Sequence, residues 1–475
     1  MSALEFTSIA DIEGIYNGLH TTYRSGKLFP LDTRRKQLYQ LARLAQDNLS
    51  AIEAALHVDL GKPPLEAAGE VASIVRNSLQ AAEQLEEWAA PVKPTLQGPM
   101  SSWDAAICPV PKGVVLIIAP WNYPMSLSFS PLIGAIAAGC PAVLKPSEHT
   151  PTCATLIAQL VSQYLDPEAY IVVNGAVVET TTLLTHRWDH IFFTGGGNIG
   201  RIVAAAAGEK LTPLTLELGG KNPVIVAEDC DVELAAKRIL WAKTQNAGQL
   251  CVTADHVFVV RSVAPAFYEA LLSAYRRFFP KSPFDPEVQW SKIVSLAHYA
   301  RIKDLLDRTK GTVIAGGEMD VDTRQIAPTI VAEVPVDDSL MEEEIFGPIL
   351  PVLEVNRIEE AIKHISMQSS PLAIYAFTHS EDLKHQLMAK TRSGAVVYND
   401  VFTQLRVQGL PFGGSGESGY GTYFGKASFD TFSHYRNVVN IPPSAEPMFL
   451  SRYRPYSEDA YAAMKGAVQV KIPDV

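Results

Sequence analysis

The sequence predicts an α/β protein made of two successive domains, each built on a doubly wound, mostly parallel sheet. Short runs rich in β-branched and aromatic residues alternate with segments long enough for crossover helices, which is the pattern of parallel sheets. A chain of 475 residues with a hydrophobic fraction of 47% has room for roughly three domain-sized units. The alternation is interrupted between residues 91 and 111, where five prolines predict an irregular or edge-strand segment.

The amino-terminal part is predicted to be helical. Residues 33–57 place six apolar side chains on one helical face, namely Leu38, Leu41, Leu44, Leu49, Ile52 and Leu56. Asp32 precedes this run and is a candidate N-cap. The first domain then continues with candidate strands at 113–119, 142–145, 170–173 and 190–194.

The second domain is predicted from another series of short apolar runs. Its candidate strands are 223–227, 256–260, 312–315, 348–355, 372–377 and 394–399. The sequence contains no internal repeat and no low-complexity segment that would change this interpretation.

Composition excludes several classes of protein. A net charge of -11 without a basic block disfavours a nucleic-acid or anionic-membrane partner. The amino terminus lacks the basic and apolar regions of a secretory signal, and the apolar stretches at 113–120 and 131–144 are too short to cross a bilayer. Five cysteines without CxxC spacing indicate neither a disulfide framework nor a metal site. We therefore expect a cytoplasmic protein without a metal.

A glycine turn follows the candidate strand at 190–194. Gly195, Gly197 and Gly200 form a GxGxxG pattern before a helical segment, which can bring the backbone close to a phosphate. Such turns also join strands to helices without any ligand. The dinucleotide pattern requires an acid roughly 20 residues further on, and Glu217 lies near that distance.

Glu217 has competing interpretations. It lies between two leucines in PLTLELGGKNP, so burial is expected to raise its pKa towards that of a general base. The same residue could instead bind a ribose, or be a buried carboxylate at a strand end with no role in chemistry.

Three polar residues follow candidate strands of the first domain. Asn122 could donate to a developing oxyanion, and Lys145 and Glu148 could reach a ribose, because ligands of α/β folds bind at the carboxyl ends of strands. Alternatively, Asn122 serves the turn before Pro124, and Lys145 and Glu148 lie in a solvated loop.

Cys251, in NAGQLCVTAD, is the candidate nucleophile. A lone cysteine is most often a small buried hydrophobe. A nucleophile needs donors that favour the thiolate, and Asn246, Gln249 and Thr253 are polar neighbours. No histidine is adjacent, which disfavours a Cys-His protease arrangement.

Taken together, the ordered motifs resemble the aldehyde dehydrogenase superfamily from about residue 30 to 455. They are PWNYP, LKPSE, FTGGGNIG, LELGGKNP, GQLC, EEIFGP and LPFGGSGESGYG. The run PFGGSGESGYGTYFGKASFDTFSH and RYRPY at 452–456 resemble the class 3 branch, which oxidises aromatic and medium- to long-chain aliphatic aldehydes with NAD or NADP.

The resemblance implies a fold with two Rossmann-like domains plus a small β-rich oligomerisation arm. Residues 1–88 and 111–216 would bind NAD or NADP, residues 217–425 would carry catalysis, and residues 89–110 and 426–475 would form the bridging and oligomerisation segments. The resemblance to class 3 implies a homodimer. No membrane anchor is expected, because the carboxyl-terminal run AYAAMKGAVQVKIPDV is too short and polar to be one.

The resemblance also assigns roles to individual residues. Cys251 would be the nucleophile, Glu217 the general base, and Asn122, with the backbone N–H of Cys251, the oxyanion site. The residues expected to bind the cofactor are Lys145, Glu148, Gly195, Gly196, Gly200, Glu344 and Phe346. The residues expected to line the aldehyde tunnel are Tyr123, Trp241 and Phe412.

One departure and two alternatives accompany this assignment. The family's glycine turn usually has Ser or Thr where this chain has Gly196 or Gly197, which removes a hydroxyl contact to phosphate. An acylating relative that passes the thioester to coenzyme A typically lacks the base that Glu217 matches. A non-enzymatic protein on the same fold would lack the nucleophile or the cofactor loop.

Overall fold

The computed structural model describes residues 4–473, which form two compact units. The larger unit contains the chain up to Trp88 and Pro111–Ser433, and the smaller unit contains Ala89–Val110 and the residues from His434 onward. The segment 426–433 thus belongs to the larger unit. The predicted boundary between a cofactor domain and a catalytic domain at residue 217 lies within this larger unit and stays a prediction.

The helices of the described residues occupy both the amino-terminal region and the connections between strands. They are α1 (Ile9–Arg24), α2 (Leu31–Asp47), α3 (Leu49–Leu60), α4 (Pro64–Ala89), α5 (Pro124–Ala138), α6 (Pro151–Tyr164), α7 (Val177–Thr185), α8 (Gly197–Glu209), α9 (Val232–Thr244), α10 (Ala264–Phe278), α11 (Leu296–Asp307), α12 (Ser339–Glu342), α13 (Ile358–Met367), α14 (Glu381–Lys390), α15 (Lys426–Phe432) and α16 (Glu458–Ala467).

The strands are short, as expected for connected α/β units. They are β1 (Asp104–Pro111), β2 (Val115–Ile118), β3 (Ala142–Lys145), β4 (Tyr170–Val172), β5 (His190–Thr194), β6 (Leu214–Glu217), β7 (Pro223–Val226), β8 (His256–Val260), β9 (Thr312–Ala315), β10 (Met319–Asp320), β11 (Gln325–Ile326), β12 (Thr329–Ala332), β13 (Ile349–Val355), β14 (Ala373–Phe377), β15 (Ala395–Tyr398), β16 (Gly419–Tyr420) and β17 (Ser433–Asn440).

The first large sheet has six strands in the order β16-β6-β5-β2-β3-β4. Strands β2 to β6 run parallel, and β16 joins β6 antiparallel. The chain starts at β2, winds outward to β4 and then returns to the other side through β5. The carboxyl ends of β2 and β5 therefore form a topological switch point, the place where open α/β sheets bind ligands.

The second large sheet has seven strands in the order β15-β14-β7-β8-β13-β12-β9. Its strands are parallel except for β9, which pairs antiparallel with β12. Strand residues such as Val224, Ile225 and Val257 are fully buried, because helices cover both faces of the sheet. The two doubly wound sheets confirm the predicted fold class.

The smaller unit contains a two-stranded sheet formed by β1 and β17, and an antiparallel bridge between Val92 and Ile107. The proline-rich segment thus contains an edge strand, as predicted. The carboxyl-terminal helix of the smaller unit, α16, has no buried residue, and Tyr461 and Met464 are exposed.

The predicted helix over residues 33–57 is two helices. Asn48 separates α2 from α3 with φ -114° and ψ 21°, and its side-chain amide donates to the Leu44 carbonyl at 2.9 Å. Asparagine competes for backbone groups in this way, which disfavours a continuous helix. The N-cap prediction for Asp32 is also wrong, because α2 begins at Leu31 and the Asp32 carboxylate pairs with Arg35 at 2.8 Å.

Candidate active site

The candidate nucleophile Cys251 follows a strained loop between α9 and β8. Asn246, Ala247 and Gly248 have φ values of 48°, 50° and 72°, so two non-glycine residues occupy the left-handed region. Such conformations cost about 1–3 kcal/mol each and persist only where the surroundings enforce them. A Cβ on Gly248 would lie 2.2 Å from the Gly347 carbonyl oxygen, so only glycine fits here.

Hydrogen bonds hold this loop on both sides of Cys251. The Gln249 side chain donates to the carbonyls of Asn246 at 3.0 Å and Lys292 at 3.1 Å, and accepts from the Val294 N–H at 3.0 Å. The Asn222 amide donates to the Cys251 carbonyl at 2.6 Å. Asn246, Gln249 and Asn222 are almost fully buried, so these bonds are not exchanged with water.

Burial is the main reason that the pKa of the Cys251 thiol is raised to about 12. The carboxylates of Glu344 and Glu217 act in the same direction, and the Cys251 and Val252 backbone N–H groups oppose them. The thiol is therefore expected to be protonated at neutral pH. A nucleophilic thiolate at this position therefore requires a proton acceptor or a change in the local charge.

Glu217 is the carboxylate suited to accept a proton in this region. It is the last residue of β6 and pairs in parallel register with Thr194 of β5. Burial raises its pKa well above the ordinary value. Neither carboxylate oxygen has a hydrogen-bond partner among the described residues, so the group is free to bind water or a thiol proton.

Asn122 follows β2 and lies at the switch point of the first sheet. Its side-chain amide donates to the Gln249 carbonyl at 3.1 Å, which fixes it against the nucleophile loop. An amide nitrogen carries two hydrogens, so one remains for an oxyanion.

These residues meet in one cleft with a volume of about 270 Å³. Of the predicted site residues, the cleft is lined by Asn122, Gly195, Gly196, Glu217, Cys251, Glu344 and Phe346. It does not include Lys145, Glu148, Gly200, Tyr123, Trp241 or Phe412 among its described lining residues.

Glu344 and Phe346 enter the cleft from the loop that follows α12. Burial, together with the charge of Asp255, raises the pKa of Glu344 to about 8. Arg301 holds this loop by donating to the carbonyls of Glu344 at 3.2 Å and Ile345 at 2.6 Å. The Phe346 ring meets the Trp121 ring edge-on at 5.3 Å.

The Gly195 turn and the start of α8 fit a dinucleotide. A Cβ on Gly195 would lie 2.6 Å from the Phe193 ring, and a Cβ on Gly200 would lie 2.9 Å from Leu218, so both glycines permit close approach. A Cβ on Gly196 would meet nothing within 4 Å, which leaves the N-terminus of α8 open to an anion. The buried Thr194 hydroxyl at this turn has no partner among the described residues.

Lys145 and Glu148 form an ion pair at 2.8 Å beyond the carboxyl end of β3. Burial alone would raise the pKa of Glu148, but hydrogen bonding to the Lys145 ammonium and its charge lower it. The carboxylate is therefore ionised at neutral pH and can accept hydroxyl hydrogen bonds.

The three predicted tunnel residues lie in different surroundings. The Tyr123 ring faces the Lys62 ammonium at 3.7 Å, and burial raises the pKa of the Tyr123 hydroxyl well above its ordinary value. Trp241 of α9 packs against Phe402 with the ring centres 4.8 Å apart, and Phe412 packs against Tyr423 at 5.6 Å. A shared tunnel for these three side chains stays a prediction.

The cleft residues that sequence analysis did not single out include Trp121, Thr194, His298 and Arg301. Trp121 and Thr194 were detectable, because each adjoins a predicted site residue after a strand. His298 and Arg301 lie on α11, where neither residue belongs to a recognisable motif.

The described residues contain neither a metal cluster nor a membrane-spanning helix. Within residues 4–473 no cluster of three His, Cys, Asp or Glu side chains has the arrangement of a metal site. No helix in the same range has both the length and the apolarity needed to span a membrane. The predictions about a signal and an anchor also involve residues 1–3 and 474–475, which lie outside that range.

Known proteins resemble this chain over nearly its whole length. The aldehyde dehydrogenase family profile matches residues 8–438. Aldehyde dehydrogenase family 3 member H1 of Arabidopsis thaliana is 41% identical and covers 100% of this chain and 98% of that protein. The Rattus norvegicus protein named aldehyde dehydrogenase, dimeric NADP-preferring, is 42% identical over 91% of this chain and 95% of its own.

A solved structure agrees with the sequence relatives. The substrate-bound state of Staphylococcus aureus AldH superposes with a TM-score of 0.90 at 35% identity, covering 96% of this chain and 99% of that one. The profile match and the identities near 40% over most of each chain show common descent. This chain therefore belongs to the aldehyde dehydrogenase family and is an oxidoreductase that acts on aldehydes.

Proposed function

We propose that the enzyme oxidises aromatic or medium- to long-chain aliphatic aldehydes to carboxylic acids with NAD or NADP, through a Cys251 thiohemiacetal and thioester. The observation that carries this proposal is the meeting of Cys251, Asn122 and the unpartnered Glu217 carboxylate in one cleft. Lys145, Glu148, Gly195, Gly196, Gly200, Glu344 and Phe346 would hold the dinucleotide.

Cys251 begins the reaction by attacking the aldehyde carbon. Glu217 accepts the thiol proton, directly or through water, because its raised pKa makes it a stronger base than an exposed carboxylate. The new S–C bond forms as the carbonyl π electrons move to oxygen. The Asn122 amide and the Cys251 backbone N–H then donate to the oxyanion.

The second half of the reaction releases the acid. When bound, the nicotinamide dinucleotide supplies the hydride acceptor for the oxidation. Glu217 first releases the thiol proton to solvent and then removes a proton from a water molecule, whose oxygen attacks the thioester carbon. The C–S bond breaks, the carboxylic acid leaves and the Cys251 sulfur is regenerated. The presence of Glu217 supports hydrolysis over transfer to coenzyme A.

The direct test is a panel of aldehydes followed by the absorbance of reduced nicotinamide. We expect aldehyde-dependent reduction that does not require coenzyme A. An absolute requirement for coenzyme A would identify the enzyme as acylating, and no reduction with any aldehyde would favour a non-enzymatic role.

Replacing Asn122 by alanine is expected to lower kcat by about 10²–10³-fold, because one oxyanion donor is lost. Asn77→Ala on α4 is the matched control, since the Asn77 side chain donates to the Ser73 hydroxyl on its own helix and lies outside the cleft. Steady-state kinetics at saturating cofactor measure the effect. An Asn122→Ala kcat close to that of the control would remove Asn122 from the oxyanion site.

NAD is expected to be used at least as well as NADP. The ionised Glu148 can accept bonds from ribose hydroxyls, and its charge would repel a 2′-phosphate. The comparison of kcat/KM for the two cofactors is informative because one relative is named NADP-preferring. A preference for NADP above about tenfold, or ~1.4 kcal/mol, would contradict this prediction.

We also propose that the enzyme is a homodimer in the cytoplasm. The word "dimeric" in the name of the rat relative supports a homodimer. The cytoplasmic location rests on the sequence alone and stays a prediction.

A further inference from the structure

A buried ion pair lies behind the residue that would hold the oxyanion. The Lys62 ammonium is 2.6 Å from the Glu70 carboxylate, and the side chains of both residues are essentially inaccessible to solvent. Removing two charges from water is costly, and a buried pair of this kind rarely contributes much net stability. Any role other than stability must therefore lie in the contacts of the pair.

The turn between α3 and α4 directs Lys62 inward. Gly61 ends α3 in the left-handed conformation, with φ 64° and its N–H donating to the His57 carbonyl at 2.8 Å. The Lys292 backbone packs closely against this turn, because a Cβ on Gly61 would lie 3.2 Å from the Lys292 backbone nitrogen. Lys62 follows at once, and its side chain is fully buried.

Lys62 contacts the Asn122 segment at two points. Its ammonium donates to the Asn122 carbonyl at 3.1 Å and lies 3.7 Å from the centre of the Tyr123 ring. The Glu70 carboxylate accepts at its other oxygen from the Ser126 N–H at 3.0 Å, in the first turn of α5. The pair thus fixes the backbone on both sides of Tyr123.

The same carbonyl is also bound from the nucleophile loop. The Asn246 amide donates to the Asn122 carbonyl at 2.9 Å, and the Asn246 backbone N–H donates to Glu66 of α4 at 2.8 Å. The Asn122 carbonyl therefore receives one donor from Lys62 and one from the loop before Cys251. A shift of this carbonyl would change the position of the Asn122 amide relative to Cys251.

We propose that Lys62 is a positioning residue for the oxyanion site, which it holds through the Asn122 backbone carbonyl, with Glu70 compensating its charge. This inference rests on the proposed function, since it acts through Asn122. A misplacement of about 1 Å at a reacting centre can lower a rate by about 10²-fold. Loss of the Lys62 donor is therefore expected to lower kcat by about 10–100-fold with little change in cofactor affinity.

The test is a double-mutant cycle of Lys62→Met and Asn122→Ala, with kcat and the cofactor dissociation constant measured for each variant. If Lys62 acts through Asn122, Lys62→Met lowers kcat by at least about tenfold in the parent but by less than about twofold when Asn122 is already alanine. Equal losses in both backgrounds, or no loss in the parent, would overturn the proposal.

Two further variants separate positioning from stability. Lys62→Met combined with Glu70→Gln leaves no unpaired buried carboxylate, so it keeps the test open if Lys62→Met alone does not fold. Lys112→Met is the control, because the Lys112 ammonium is also largely buried but donates to the Thr431 carbonyl at 2.5 Å, away from the cleft. It is expected to change the melting temperature and leave kcat within about twofold.

The Asn122→Ala variant alone distinguishes failure of this proposal from failure of the proposed function. If Asn122→Ala does not lower kcat, the oxyanion assignment itself is wrong. If Asn122→Ala lowers kcat and Lys62→Met has the same effect in both backgrounds, only the positioning role of Lys62 is wrong.

Discussion

Replacing Cys251 by alanine is expected to lower aldehyde oxidation by about 10⁴–10⁶-fold, because removal of a covalent nucleophile eliminates the reaction path. The other cysteines offer no substitute, since none of them is among the described residues that line the cleft. Absorbance of reduced nicotinamide measures both the first turnover and the steady state. Neither should be detectable above the background rate.

Cys230→Ala is the matched control for this variant. Cys230 is also partly buried but follows β7, outside the cleft, so its replacement should leave activity near the parent level. Thermal unfolding of both variants checks that the fold is retained. Aldehyde-dependent reduction that survives in folded Cys251→Ala would exclude covalent catalysis by this thiol.

The strands of both sheets were largely predictable because buried parallel strands are short, apolar and bounded by turns. Runs such as 142–145, 190–194 and 256–260 coincide with β3, β5 and β8. Strand β6 was missed, since Leu214–Glu217 alternates polar and apolar residues over only four positions. Leu214–Glu217 forms a strand because it pairs with β5 and β16, which lie elsewhere in the sequence.

The helix break at Asn48 shows a different limit. The apolar periodicity continues across residues 33–57, yet the local competition of the Asn48 side chain for the Leu44 carbonyl ends α2. As a result Leu49, predicted on the core face, is exposed. Periodicity indicates which face of a helix is apolar, but it does not indicate where a single side chain interrupts the backbone hydrogen bonds of the helix.

The candidate site was predictable where motifs lie beside strand ends. Asn122 after β2 and Gly195 after β5 meet because parallel strands bring their carboxyl ends together. The contribution of Lys62, in the turn between α3 and α4, was not predictable, since a lysine before two prolines is typical of an exposed turn. Its burial depends on the position of Asn122, more than fifty residues away in the chain.

Glu217→Gln is expected to lower steady-state turnover by about 10²–10⁴-fold, the usual contribution of a general base. Glutamine keeps the size of the side chain and removes its basicity. The carboxylate is buried without a partner, so its replacement breaks no hydrogen bond among the described residues. Cofactor affinity should hardly change, because Lys145 and Glu148 are proposed to bind the ribose.

The two interpretations of Glu217 predict opposite results. If it bound ribose, the dissociation constant for NAD would rise and turnover at saturating NAD would survive. If it is the base for hydrolysis, attack by Cys251 and oxidation can occur once before the thioester accumulates. A role in accepting the thiol proton as well would slow this first turnover without removing it.

Stopped-flow absorbance of Glu217→Gln at saturating NAD and aldehyde tests the account most directly. The account predicts a burst of reduced cofactor near one per active site, followed by turnover lowered by about 10²–10⁴-fold. Cys251→Ala measured beside it should give no burst. Near-normal steady-state turnover of the Glu217→Gln enzyme would contradict the assignment of Glu217 as the general base.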